Sequence, residues 1–201
     1  MLKELTLKHF AEAVASDQAV PGGGSVAALA ASLAAMVARL TLKKEKFAAV
    51  APEMTSLENA AQELQQRLMD AVDQDADSYR RVLSAFRLPK GTDEEKRARG
   101  RAVQEAFIHA ARIPLEVAGL AVQVMDLAVQ AVHQGNPDMI TDAGVGLLMA
   151  RSAALGALMN VRINLASIKD ESVVAAMGAD TDRLKKEVVE KERICLAVLP
   201  L

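Results

Sequence analysis

A chain of 201 residues with a formal net charge of −2 at pH 7 is long enough for one large domain or two small ones; no Ser/Pro/Gly-rich linker divides it, so a single domain is expected. Hydrophobic residues make up 51% but aromatics only 2%, with no tryptophan, so the core must be built from Ala, Leu, Val and Met, which favours closely packed helices over a β-sandwich. The basic footprint and the aromatic platforms of nucleic-acid binders are both missing, and neither nucleic acid nor a membrane surface is expected as a partner.

The single cysteine, Cys195, excludes an intrachain disulfide and a cysteine-based metal cluster. His9, His109 and His133 lie far apart without ligand spacing, so no metal is expected. The start, Met1-Leu2-Lys3-Glu4, is unlike a signal peptide, and no apolar run reaches the roughly 18 residues of a membrane helix. A cytoplasmic location follows as the expectation.

Residues 6–16 read as a short amphipathic helix with Leu7, Phe10 and Val14 on one side. The run Pro21-Gly22-Gly23-Gly24-Ser25 comes next. Its glycines free the backbone, and Ser25 can cap the helix that follows. That second helix, expected over residues 24–47, is rich in alanine and apolar nearly all round, which marks a buried helix. Gly22, Gly23, Gly24 and Ser25 therefore form either a donor-rich loop at a helix N-terminus, suited to an anionic group, or a place where two backbones pass closely. No Gly-Lys-Ser/Thr follows and no strand precedes, so this is neither a phosphate loop nor a dinucleotide fingerprint. Lys44 shares the angle of Val26 and Val37. It is either a site lysine or a residue that reaches water from a helix end.

Pro52 opens a third helix, expected to residue 87, with the stripe Leu57, Leu64, Leu68, Val72, Tyr79, Val82 and Phe86. Asp70, Asp73 and Asp77 fall on the opposite, solvated face. Asp75 falls inside the stripe, where a carboxylate must be hydrogen-bonded, paired or proton-bearing. It is a site candidate, or half of a structural ion pair with Lys44. Leu88-Pro89-Lys90-Gly91 breaks the chain, and Thr92 with Glu95 makes a capping box. A fourth helix is expected to residue 112, and Pro114 starts or kinks a fifth that runs to His133 and ends at Gly135. A sixth, mostly apolar helix spans residues 139–168. On it Asp142 and Asn160 share one angle, about 27 Å apart along the axis, with Arg151 and Arg162 roughly opposite. At that distance the first two serve different ends of a long ligand, or different sites, or one is structural. Asp170 caps a last, charged helix, and no role is assigned to the tail 194–201. The whole reads as an all-α bundle of about seven helices.

Several blocks in order resemble one family. They are Pro21-Gly22-Gly23-Gly24-Ser25-Val26, then Leu40-Thr41 with basic residues and Phe47, Asp73-Gln74-Asp75-Ala76-Asp77, and Leu88-Pro89-Lys90. Ile113-Pro114-Leu115, Gly135-Asn136, Thr141-Asp142-Ala143-Gly144-Val145 and Asn160-Val161-Arg162-Ile163-Asn164-Leu165 complete the set. Over about residues 3–190 the chain resembles the cyclodeaminase domain of formimidoyltransferase-cyclodeaminase and the bacterial methenyltetrahydrofolate cyclohydrolases. Lys43 departs from the glycine expected of the family after the Leu-Thr pair.

The resemblance implies an all-helical homodimer that takes a tetrahydrofolate derivative as substrate and carries no prosthetic group. It implies either hydrolysis of the methenyl form to formyl-tetrahydrofolate, weakly favoured because no formimidoyltransferase domain is present, or closure of formimino-tetrahydrofolate with loss of ammonia. Asp75 or Asp142 is then expected as acid/base or as holder of the pterin edge, and Lys44 as charge neutraliser or proton relay. The 22–25 loop and Asn136 are expected to shape the pocket, Asn160 and Arg162 to bind substrate, and surface basic residues to hold a polyglutamate tail. The alternatives are a non-catalytic folate-binding or partner-docking module and, less well supported, a phosphate-ester enzyme.

Overall fold

The computed structural model describes residues 4–6, 8–9, 12 and 27–199. Gly22, Gly23, Gly24 and Ser25, and most of the helix expected over residues 6–16, lie outside the described residues. Among those described there are five α-helices: α1 Ala27–Leu42, α2 Ala51–Phe86, α3 Asp93–Gln134, α4 Ile140–Leu165 and α5 Glu171–Leu196. Short 3₁₀ turns at Glu45–Val50 and Pro137–Met139 join α1 to α2 and α3 to α4. The all-α expectation holds, and the count of about seven is corrected to five long helices among the described residues.

The main correction is at Pro114. The helices expected before and after it are one continuous helix, α3, with Pro114 inside. A proline removes the N–H that would bond the carbonyl four residues back, here Ala110. Asn164 of α4 supplies the missing donor, with Nδ2 2.9 Å from the Ala110 carbonyl. The helix therefore passes through its proline without a stranded buried acceptor.

The other boundaries follow local chemistry. Thr92 accepts from Glu95 N while the Glu95 carboxylate accepts from Thr92 N, and this box opens α3. Asp170 accepts from Ser172 N and Val173 N at the start of α5. Gly135 ends α3, and it must be glycine for space. A Cβ there would lie 2.4 Å from the Ala131 carbonyl oxygen and 3.2 Å from Val37 Cγ1. The second expected helix stops earlier than periodicity suggested, at Leu42, because the chain turns into the 3₁₀ segment.

The most extensive packing is between α3 and α4, with α2 and α1 laid against them. The core joins Leu68 of α2, Leu120, Val124 and Met125 of α3, and Leu147, Ala150, Ala154 and Ala157 of α4. Alanines let the axes approach closely, and each buried side chain adds dispersion contacts at near-crystalline density. In α5 the buried positions Met177, Thr181, Leu184 and Val188 recur at helical spacing. The tail folds back, bringing Leu199 against Gly144, and Cys195 is buried, which raises its thiol pKa. Tyr79 and Phe86, expected in the buried stripe of α2, are 44% and 46% exposed. Phe86 instead meets Phe107 edge-on at 6.0 Å, with the Arg99 guanidinium over its ring.

Against the expectation from unbroken apolar runs, two stretches, Asp93–Gln134 and Pro137–Leu165, are long and apolar enough by length and composition to cross a bilayer. Half of each apolar window is buried inside the bundle.

Candidate functional site

Asp75 lies on the α2 face that meets α3 and α4. It lines a narrow cleft with Ala71 and Val72 of α2, Pro114 and Val117 of α3, and Ala157 and Asn160 of α4. The cleft holds about 10 Å³, room for roughly one water. Its walls are apolar apart from the Asp75 carboxyl and the Asn160 carboxamide, and no second ionisable group lines it among the described residues. Desolvation raises the Asp75 pKa above the ordinary carboxyl value, because burial penalises the charged form. A carboxyl whose pKa is raised by burial, lining the same cleft as a carboxamide, suits proton exchange with a small polar reactant.

The helix register also aims α1 at this level. Gln65 Nε2 of α2 donates to Ser32 Oγ of α1 at 2.6 Å, and Arg39 pairs with Glu58, so the two helices run antiparallel. Continued back to Ala27, the same register brings the start of α1 level with Asp70. That is about 7.5 Å along the axis from the level of Asp75. The positive end of the α1 dipole therefore faces the cleft's end of the bundle.

The structure brings together two residues that sequence reasoning had named separately, Asp75 and Asn160. Among the described residues it does not bring Lys44, Asn136, Asp142 or Arg162 to them. Lys44 lies beyond the end of α1, where its Nζ donates to Asp138 Oδ2 at 2.8 Å and holds that carboxyl below its ordinary range. The ion pair considered between Lys44 and Asp75 is not formed, because Lys44 pairs with Asp138 instead. Asn136 is buried, but its groups are used locally. Its N–H donates to Thr41 Oγ1 at 2.8 Å, and its Oδ1 accepts from Asp138 N at 3.2 Å. Thr41 Oγ1 in turn donates to the Val37 carbonyl at 2.8 Å. Asp142 is half-buried in the first turn of α4, about 27 Å along the helix from Asn160, so the two serve different places in one subunit. Arg162 pairs with Asp182, and Arg151 with Glu192, both tying α4 to α5.

Sequence reasoning missed the pairing of Pro114 with Asn164. The available signal was a proline inside a strongly apolar helical stretch, which demands a compensating donor elsewhere. It also missed a groove of about 360 Å³ lined by Arg81, Ser84, Leu88, Glu105 and His109. This groove continues the α2–α3 seam away from Asp75. Seven arginines pair with carboxylates: Arg39, Arg67, Arg80, Arg151, Arg162, Arg183 and Arg193. Of those without a carboxylate partner among the described residues, Arg81, Arg87, Arg97, Arg99 and Arg101 fall near the α2–α3 turn, and Arg112 lies two residues before Pro114.

Comparison with known proteins gives consistent matches. The family model described as formiminotransferase-cyclodeaminase matches residues 6–183. A methenyltetrahydrofolate cyclohydrolase from Methylorubrum extorquens is 32% identical, over 92% of this chain and 97% of that one. The formimidoyltransferase-cyclodeaminase of Gallus gallus is also 32% identical, but the chain spans only 36% of that longer protein. The crystal structure of formiminotetrahydrofolate cyclodeaminase from Thermotoga maritima superposes with a TM-score of 0.88 at 26% identity, covering 99% of this chain and 98% of that one.

Proposed function

The chain belongs to the formiminotransferase-cyclodeaminase family, and on that premise we propose that it is a folate one-carbon enzyme that hydrolyses methenyltetrahydrofolate to formyltetrahydrofolate. The observation that carries the reaction is the cleft in which Asp75, its carboxyl pKa raised by burial, faces Asn160. The near end-to-end match to a bacterial cyclohydrolase supports this choice of reaction.

The chemistry asks little of the protein. Water adds to the methenyl carbon between two folate nitrogens and gives a tetrahedral carbon, and one C–N bond then breaks. Water gives up both its protons: one reaches the departing nitrogen, and the other goes to solvent as the cationic methenyl group is discharged. Asp75 is the group that takes a proton from the water and returns one to the nitrogen, a contribution of roughly 10²–10⁴-fold in rate. Asn160 donates and accepts at the edge of the ring. Arg81, which lines the groove beyond Asp75, and the other arginines near the α2–α3 turn that lack a carboxylate partner give the substrate's carboxylate end a basic surface.

The alternative is cyclodeaminase chemistry, favoured by the structural likeness to the Thermotoga protein. There the same carboxyl protonates departing ammonia as the ring closes. The test is to follow the methenyl absorbance with both substrates. Loss of the band beyond the spontaneous rate supports the hydrolase. Its appearance from formimino-tetrahydrofolate, with ammonia, supports the deaminase. No change in either returns the reading to a non-catalytic folate-binding or docking module.

A homodimer and a cytoplasmic location belong to the same proposal. Support for the dimer is a stripe on α4 at helical spacing, Val145, Leu148, Met159 and Ile163, from 40% to 69% exposed. Monomers rarely leave so continuous an apolar face in water. Two copies paired antiparallel about the middle of α4 would also carry Asp142 of one toward the Asn160 end of the other. Light scattering of the purified protein tests the dimer, and a monomer mass at micromolar concentration contradicts it.

A further inference from the structure

Asn160 and Asn164 stand one turn apart on α4 and face α3 on either side of the same proline. Asn160 reaches the cleft that Pro114 lines. Asn164 donates to the Ala110 carbonyl, four residues before Pro114. This bond crosses between helices at the level where the reacting groups meet, and the vacant acceptor it uses exists only because of the proline. Elsewhere the α3–α4 contact is largely alanine against aliphatic side chains, which packs closely but sets no unique register along the axes. A directional bond to one carbonyl does set it.

We propose that Asn164 is a positioning residue: by donating to the carbonyl that Pro114 leaves open, it fixes the register of α4 on α3 and so holds Asn160 opposite Asp75. The inference rests on the functional reading above. It adds a role for a residue outside the cleft and explains what a proline does in the middle of a long helix. A displacement of about 1 Å at a reacting centre costs on the order of 100-fold in rate, so the effect belongs in kcat rather than in substrate affinity.

The experiment compares Asn164→Ala, Asn164→Asp, Asn164→Gln, Pro114→Ala and the double variant Pro114→Ala/Asn164→Ala in the full chain. Asn164→Ala is expected to lower kcat by about 10–100-fold with KM within about threefold. An ionised aspartate cannot donate, so Asn164→Asp is expected to lose as much. Glutamine keeps the donor and is expected to recover part of kcat. Pro114→Ala gives the Ala110 carbonyl a helical N–H, so the double variant is expected to regain thermal stability yet keep the low kcat of Asn164→Ala. A double variant whose kcat recovers to the wild-type value means that Asn164 only satisfies the carbonyl, which overturns the proposal. A second readout needs no activity, the carboxyl titration of Asp75 by ¹³C NMR. In Asn164→Ala the raised value is expected to relax toward an ordinary carboxyl as the cleft loosens, and an unchanged titration overturns the proposal. If the wild type turns over neither folate, the functional reading falls by itself, and the titration still decides the positioning.

Discussion

Asp75 of α2 and Asn160 of α4 line one cleft of about 10 Å³ beside Pro114, with no cation among the lining residues to neutralise the carboxyl. Such a carboxyl works against the fold when ionised. Burial raises its folded-state pKa, so its contribution to stability is complete below about pH 4 and is lost as pH rises through the folded value. An asparagine in its place would carry no charge. Asp75→Asn is therefore expected to raise the melting temperature at about pH 7–8, with the gain fading toward about pH 4, while turnover falls by roughly 10²–10⁴-fold. Paired melting curves and rates across that pH range check both halves.

The Thr41 hydroxyl joins α1 to the loop before α4, accepting from Asn136 N–H and donating to the Val37 carbonyl in a buried site. Thr41→Val keeps the shape but leaves the Asn136 N–H buried and unpaired. A loss of about 1–3 kcal/mol is expected in urea unfolding. Thr41→Ser, which keeps the hydroxyl, is expected to lose less.

Gly135 has no room for a methyl group between the Ala131 carbonyl and Val37. Its φ of −76° is ordinary, so the penalty of Gly135→Ala comes from contact and not from backbone conformation. A cost of about 1–3 kcal/mol is expected, again read from urea unfolding.

If the basic end of the α2–α3 hairpin receives the substrate's carboxylates, Arg81→Ala should raise KM about tenfold and leave kcat nearly unchanged. The wild-type KM should itself rise with salt as these exposed charges are screened. Steady-state rates at two ionic strengths measure both effects.

Much of the fold was legible because it is locally encoded. The Thr92–Glu95 box, the Asp170 cap, Pro52 in the first turn of α2 and Gly135 at the end of α3 each act within a few residues. Pro114 was misread as a helix boundary because the group that rescues the Ala110 carbonyl, Asn164, lies 54 residues from it. Distance hid the partner of Lys44 for the same reason, since Asp138 is 94 residues on. Helical angle alone singled out Asp75 as a carboxyl out of place. The same angle paired Asn160 with Asp142, whereas packing sets it with Asp75 across the seam of α2, α3 and α4. Tyr79 and Phe86 had the right period for the core but are exposed, even though α3 packs against the same stretch of α2 through Val82 and Ala85.

The most direct test is the decay of the methenyltetrahydrofolate absorbance with wild-type protein and with Asp75→Asn, each against buffer. The wild type should outpace the spontaneous reaction and the variant should fall back by at least about 100-fold. A wild type no faster than buffer, with no reaction from formimino-tetrahydrofolate either, would contradict the enzyme. An Asp75→Asn variant that keeps the wild-type rate would contradict the site.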